Sequence, residues 1–83
     1  MTEIQAVLGP IAQEDLGLTL SHEHLFVTSA GIRQNYPWMF NPEAELAHAV
    51  AQLAEARAAG VQTLIDVTTP DLGRDPAMVR AAA

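Results

Sequence analysis

Apolar and polar positions alternate along Leu18-Thr19-Leu20-Ser21-His22-Glu23-His24-Leu25, the pattern of a β-strand. Successive strand side chains point to opposite faces, so His22 and His24 share one face with Cα atoms about 7 Å apart, and Glu23 takes the other. Ahead of it, residues 4–8 form a short apolar run ended by Gly9-Pro10, and Gly17 follows Asp15-Leu16. The spacing predicts an N-terminal β-hairpin, with Gly9-Pro10 and residues 15–17 shaping its connection. Glu14 and Asp15 read as solvated turn residues.

The period then changes. Asn41 is a helix cap, Pro42 suits the first helical position, and Glu43 and Glu45 complement the positive end of the helix dipole. Leu46, Ala49, Val50, Leu53 and Ala56 recur at helical spacing as one apolar stripe, and Gly60 ends the helix. Glu45, His48, Gln52 and Glu55 fall on the polar side, so His48 reads as a solvated helix residue. Residues 61–67 form a second strand, with Val61, Thr63, Ile65 and Val67 on one face and Gln62, Leu64 and Asp66 on the other. After a turn, Asp75 caps a second helix with Pro76 in its first turn.

Residues 26–41 are a long connection that holds Phe26, Tyr36, Trp38 and Phe40. Unstructured loops of ~12–15 residues are uncommon unless functional or disordered. This one is too aromatic for a linker: it packs, lines a pocket, acts as a lid, or presents Tyr36, Trp38 and Phe40 to a second copy in a homodimer. The order strand, helix, strand, helix predicts a right-handed βαβ unit with parallel strands. Such strands are covered by helices on both faces, which one and a half helices cannot supply. The fold class is therefore α/β, and the chain reads as the opening of a larger protein.

Composition narrows the partners. The 83 residues suffice for one small domain, 1–83, and much of the 49% hydrophobic fraction is alanine, which makes a thin core. The net charge is −6, from ten acidic residues against four arginines and no lysine. That balance argues against nucleic acid, which is bound by neutralising phosphates, and against a basic membrane-surface helix. The first residues lack a basic and apolar leader, and no run approaches the ~20 apolar residues of a spanning helix, so a cytoplasmic protein is expected. Without cysteine there is neither disulfide nor thiolate, and any metal must take His, Asp or Glu.

His22 and His24 are the candidate ligands. Two imidazoles converging from one strand face can reach one ion at a Zn–N distance of about 2.0–2.1 Å. The alternative is a polar pair near a strand end with no metal. Asp66, near the end of the second strand, has two readings as well: a carboxylate that orients a ligand histidine, or a structural hydrogen bond.

Gly9-Pro10-Ile11, Leu18-Thr19-Leu20-Ser21-His22-Glu23-His24, Ala59-Gly60-Val61, Asp66-Val67-Thr68-Thr69 and Gly73-Arg74-Asp75 occur in this order. Together they resemble the N-terminus of the phosphotriesterase-like family in the amidohydrolase superfamily, over nearly the whole chain. The resemblance implies the first βαβ portion of a (β/α)8 TIM barrel, behind the N-terminal hairpin, with a metal centre at the C-terminal strand ends. It implies a binuclear divalent-metal hydrolase of phosphotriesters or lactones, with a hydroxide between the metals attacking the ester. Zinc is the expected metal, with cobalt, manganese or iron as alternatives. His22 and His24 match the first-strand ligands. The remaining ligands of the family lie on later strands, and its carboxylated lysine has no counterpart here. The 83 residues alone are thus expected to be inactive. The competing expectation is a small non-enzymatic βαβ module that binds metal or a partner protein.

Overall fold

The computed structural model describes residues 2–29 and 31–83. Ala30, in the 26–41 connection, and Met1, in the segment expected to lack a leader, lie outside them. The elements run β1 (Glu3–Ala6), β2 (Gly9–Ala12), β3 (Thr19–Glu23), α1 (Ile32–Asn35), α2 (Pro42–Ala58), β4 (Thr63–Asp66) and α3 (Pro76–Ala82), with short 3-10 turns at Gln13–Asp15, Pro37–Met39 and Pro70–Leu72.

A hairpin is present, but its strands differ from the predicted ones. β1 pairs antiparallel with β2, from Glu3 opposite Ala12 to Ala6 opposite Gly9, so the turn falls at Val7-Leu8. These apolar residues read as a continuing strand, yet Leu8 is 63% exposed. Among the described residues no non-glycine residue has positive φ, which rules out a type I′ turn, whose two central residues both need it. Gly9, at φ 135°, takes up the reversal instead. Pro10 stands opposite Gln5, an edge position where a missing N–H is tolerated.

The histidine strand pairs with β4, and the pairing is parallel, as the βα order requires. Thr19 lies opposite Thr63, Leu20 opposite Leu64, and Glu23 opposite Asp66. Between the last two pairs β3 advances three residues while β4 advances two, so one extra residue bulges from β3 beside His22. The Thr63 hydroxyl donates to the Leu16 carbonyl at 2.6 Å and anchors the entry of both strands.

α2 begins where the cap places it, with the Ala44 amide donating to Asn41 Oδ1 at 3.1 Å. Of its predicted stripe, Ala49 is buried and Leu46, Leu53 and Ala56 are half-buried, but Val50 is 46% exposed. Alanine on every face leaves α2 only weakly amphipathic, so its buried side is narrower than the stripe suggests. α3 is capped by Asp75, which accepts the Met78 amide at 3.1 Å.

The predicted shortage of cover is visible throughout. Among the described residues Phe26 and Ala49 are the buried hydrophobic ones, and Ile65, in the middle of β4, is 48% exposed. The accessible surface is 6017 Å², where size scaling gives about 4,800 Å² for a compact chain of this length. The radius of gyration is 14.0 Å, against about 12 Å for a compact domain.

Candidate metal centre

The C-terminal ends of parallel β3 and β4 lie side by side and carry the candidate residues. His22 and His24 are both exposed. Their ring centroids are 5.4 Å apart at an interplanar angle of 72°. Two imidazoles on one tetrahedral ion, with Zn–N of about 2.0–2.1 Å, hold their ring centres about 5 Å apart. The observed separation therefore fits two donor positions of one divalent ion. Among the described residues no group of three or more His, Cys, Asp or Glu is placed to hold a metal ion. His48 lies on α2, exposed, as its polar-side position predicts.

Asp66 is close by but does not touch an imidazole in the expected way. Its Oδ2 accepts the Leu25 amide at 3.1 Å, and its Oδ1 accepts the Thr68 amide at 2.8 Å. Burial raises the pKa of this carboxyl, but the hydroxyl and amide of Thr68, the Leu25 amide and the nearby His24 outweigh it and hold the group below the ordinary carboxylate range. Asp66 thus ties the two strand ends together through the Leu25 and Thr68 amides, and its hydrogen bonds go to those residues and not to His24.

Thr68 is the residue that sequence reasoning missed. It is 4% exposed, and its Oγ1 lies 2.9 Å from His24 Nδ1. Its carbonyl accepts from Arg74 Nε at 2.8 Å, so Arg74 packs onto the strand end instead of projecting freely from its loop. A signal was present in Asp66-Val67-Thr68, since a carboxylate two residues before a hydroxyl at a strand end can bind that residue's own amide.

The aromatic connection lies beside this end of the sheet. Tyr36 and Trp38 pack edge to face, with centroids 5.6 Å apart, and Trp38 is 77% exposed. Phe40 differs: the Arg33 guanidinium sits 4.2 Å above its ring. Arg33 also pairs with Asp75 at 2.8 Å, tying the connection to the start of α3.

Parallel β-strands with a βα crossover and a histidine pair at their C-terminal ends make an α/β unit of the kind that opens a (β/α)8 barrel. Comparison with known proteins gives the family. The chain belongs to the phosphotriesterase family, whose model matches residues 2–83. It is 45% identical to the phosphotriesterase homology protein of Mycobacterium tuberculosis (strain ATCC 25618 / H37Rv) over 85 aligned residues, covering 100% of this chain and 26% of that protein. It is 43% identical to the aryldialkylphosphatase of Saccharolobus solfataricus over 65 residues, 78% of this chain and 21% of that protein. The solved phosphotriesterase structure from Mycobacterium tuberculosis superposes with a TM-score of 0.90 at 40% identity, covering 99% of this chain and 26% of that one. A second solved structure, from the molecular engineering of organophosphate hydrolysis activity from a weak promiscuous lactonase template, gives 0.89 at 33% identity, covering 98% and 25%. The chain thus spans about a quarter of the length of the relatives it matches. Among the described residues no helix is long and apolar enough to cross a membrane.

Proposed function

We propose that this chain supplies the first two metal ligands, His22 and His24, of a metal-dependent hydrolase acting on phosphotriesters or lactones. The observation that supports this reading most directly is the 5.4 Å separation of the two rings at the C-terminal strand ends, where barrel enzymes carry their chemistry. Membership of the phosphotriesterase family supports the ester class. When bound, a divalent metal lowers the pKa of a water and polarises the scissile bond. The chain's own part is to present two imidazole nitrogens on a strand end that Asp66 ties to its neighbour. Zinc suits a nitrogen donor pair, and cobalt, manganese and iron share the preference less strongly. The exposed Tyr36 and Trp38, with Phe40 beneath Arg33, are proposed to meet a second copy of the protein.

The test is metal content and turnover in the purified whole protein. His22→Ala and His24→Ala are expected to lose bound metal and at least about 100-fold in hydrolysis of an aryl phosphotriester or an acyl lactone, the scale of a lost metal-generated nucleophile. His48→Ala should keep both. A double His22→Ala, His24→Ala variant with unchanged metal content removes the pair from the site.

A further inference from the structure

We propose that Thr68 is the positioning residue of His24: its hydroxyl oxygen accepts the Nδ1 proton of His24 and leaves Nε2 as the ring's donor nitrogen. The inference rests on the reading of His22 and His24 as metal ligands and adds to it the residue that selects the tautomer of one of them.

The geometry begins with a single contact, His24 Nδ1 to Thr68 Oγ1 at 2.9 Å. What makes it more than a passing surface contact is how firmly Thr68 is held. The residue is buried, and each of its backbone polar groups is engaged. Its amide donates to Asp66 Oδ1 at 2.8 Å, and its carbonyl accepts from Arg74 Nε at 2.8 Å. Arg74 is itself fixed by its amide, which donates to the Thr69 carbonyl at 3.2 Å. A β-branched side chain on a pinned backbone has few rotamers left, so the hydroxyl oxygen occupies a fixed position. The other carboxylate oxygen, Asp66 Oδ2, holds the amide of Leu25, the residue that follows His24. One carboxylate thus sets both the hydroxyl and the backbone that carries the imidazole.

The direction of the proton follows from the inventory of donors and acceptors. A threonine hydroxyl has one proton and two lone pairs, and an ionised carboxylate only accepts. Among the described residues the hydroxyl has one partner, His24 Nδ1, while Asp66 Oδ1 takes the Thr68 amide, so Nε2 is the nitrogen of His24 that Thr68 leaves open. As a metal ligand His24 offers the lone pair of that open Nε2, so the ring proton sits on Nδ1 and the Thr68 hydroxyl oxygen accepts it. A neutral imidazole has only one N–H, so Nε2 is left with its lone pair free. With the opposite tautomer the Nε2 proton would occupy the direction in which an ion must lie. In metalloproteins the partner of the non-ligating nitrogen is typically a carboxylate, a carbonyl or a water. Here a neutral hydroxyl stands in that place, on a residue whose backbone amide the Asp66 carboxylate holds.

Two measurements on the whole protein test the assignment. The first labels histidine with 15N and reads which ring nitrogen of His24 carries the proton in the metal-free protein, above the ordinary imidazole pKa of about 6.5. The second measures zinc affinity by chelator competition for the wild type, Thr68→Val, Thr68→Ser and His24→Ala. The wild type and Thr68→Ser should carry the proton on Nδ1, and Thr68→Val should shift it toward Nε2. Thr68→Val should weaken zinc about 10–100-fold, the usual effect of losing a ligand's hydrogen-bond partner, while Thr68→Ser stays within about threefold. A wild-type His24 protonated on Nε2 overturns the proposal, whether or not Thr68→Val folds. So does a Thr68→Val protein that binds zinc like the wild type while His24→Ala does not, an outcome that leaves the ligand reading standing. Unchanged affinity in His24→Ala overturns the ligand reading itself, and the proposal falls with it.

Discussion

Asp75 serves two neighbours with one carboxylate. It accepts the Met78 amide as the cap of α3, and it pairs with Arg33 at 2.8 Å. The Met78 amide first, then Arg33, hold its pKa below the ordinary carboxylate value, against a smaller opposing effect of burial. A carboxyl with a depressed folded-state pKa contributes stability that is present above its unfolded pKa, about 3.9, and is lost as pH falls through the lower folded value. Asp75→Asn keeps a good capping oxygen but loses the charge, so it should flatten the acid limb of a circular-dichroism pH titration and cost only a few tenths of a kcal/mol at neutral pH, the scale of an exposed ion pair. Asp75→Ala loses the cap as well and should cost about 1 kcal/mol more. An Asp75→Asn protein with the acid limb of the wild type would remove this carboxylate from the pH response.

At the scale of elements, the turn after β4 has its own constraint. Gly73 has φ 83°, and a Cβ there would run into the Thr28 side chain. The Thr28 amide donates to the Leu72 carbonyl at 2.9 Å, so the connection and the post-β4 turn are already in close backbone contact. Gly73→Ala therefore combines a left-handed backbone penalty of about 1–2 kcal/mol with a steric clash. Adding Thr28→Ser removes the obstructing methyl and should recover part of the loss in thermal midpoint at fixed protein concentration. Strict additivity of the two substitutions would show that the side chains do not meet. What was legible in the sequence follows the same logic. Elements with local chemical punctuation, such as α2 after Asn41-Pro42 and α3 after Asp75-Pro76, lie where that punctuation puts them. The hairpin partner of β1 is hidden from the pattern because Val7-Leu8 lacks turn chemistry and the reversal is taken up at Gly9. The bulge in β3 leaves no trace in an alternating pattern. The adjacency of His22 and His24 could be read from their spacing, but the role of Thr68 could not. A single threonine becomes informative only once the sheet sets it against His24, 44 residues earlier in the chain.

For the whole molecule, exposed apolar surface is the dominant fact. Trp38, Met39, Leu18, Val27 and Ile65 are each about half exposed or more, and the parallel pair β3–β4 has no further strand beside it among the described residues. Unpaired strand edges and uncovered apolar faces invite association. The 83-residue chain on its own should therefore sediment as a mixture larger than a monomer at micromolar concentration, and Trp38→Ala should shift that mixture toward smaller species. A single monodisperse monomer by analytical ultracentrifugation would contradict this.

The pairing of β3 with β4 also sets an order of events. The two strands are separated by some 40 residues of chain, whereas β1–β2 closes over two and α2 needs only its own turns. Loop-closure entropy grows with the length enclosed, so contacts between distant segments are made late. The hairpin and helix can form while the chain is still open, but His24, Thr68 and Asp66 cannot meet until the sheet zips shut. The strand-end cluster is therefore absent from any intermediate that holds only local structure, and the ability to present a tautomer-selected imidazole arrives together with the parallel sheet.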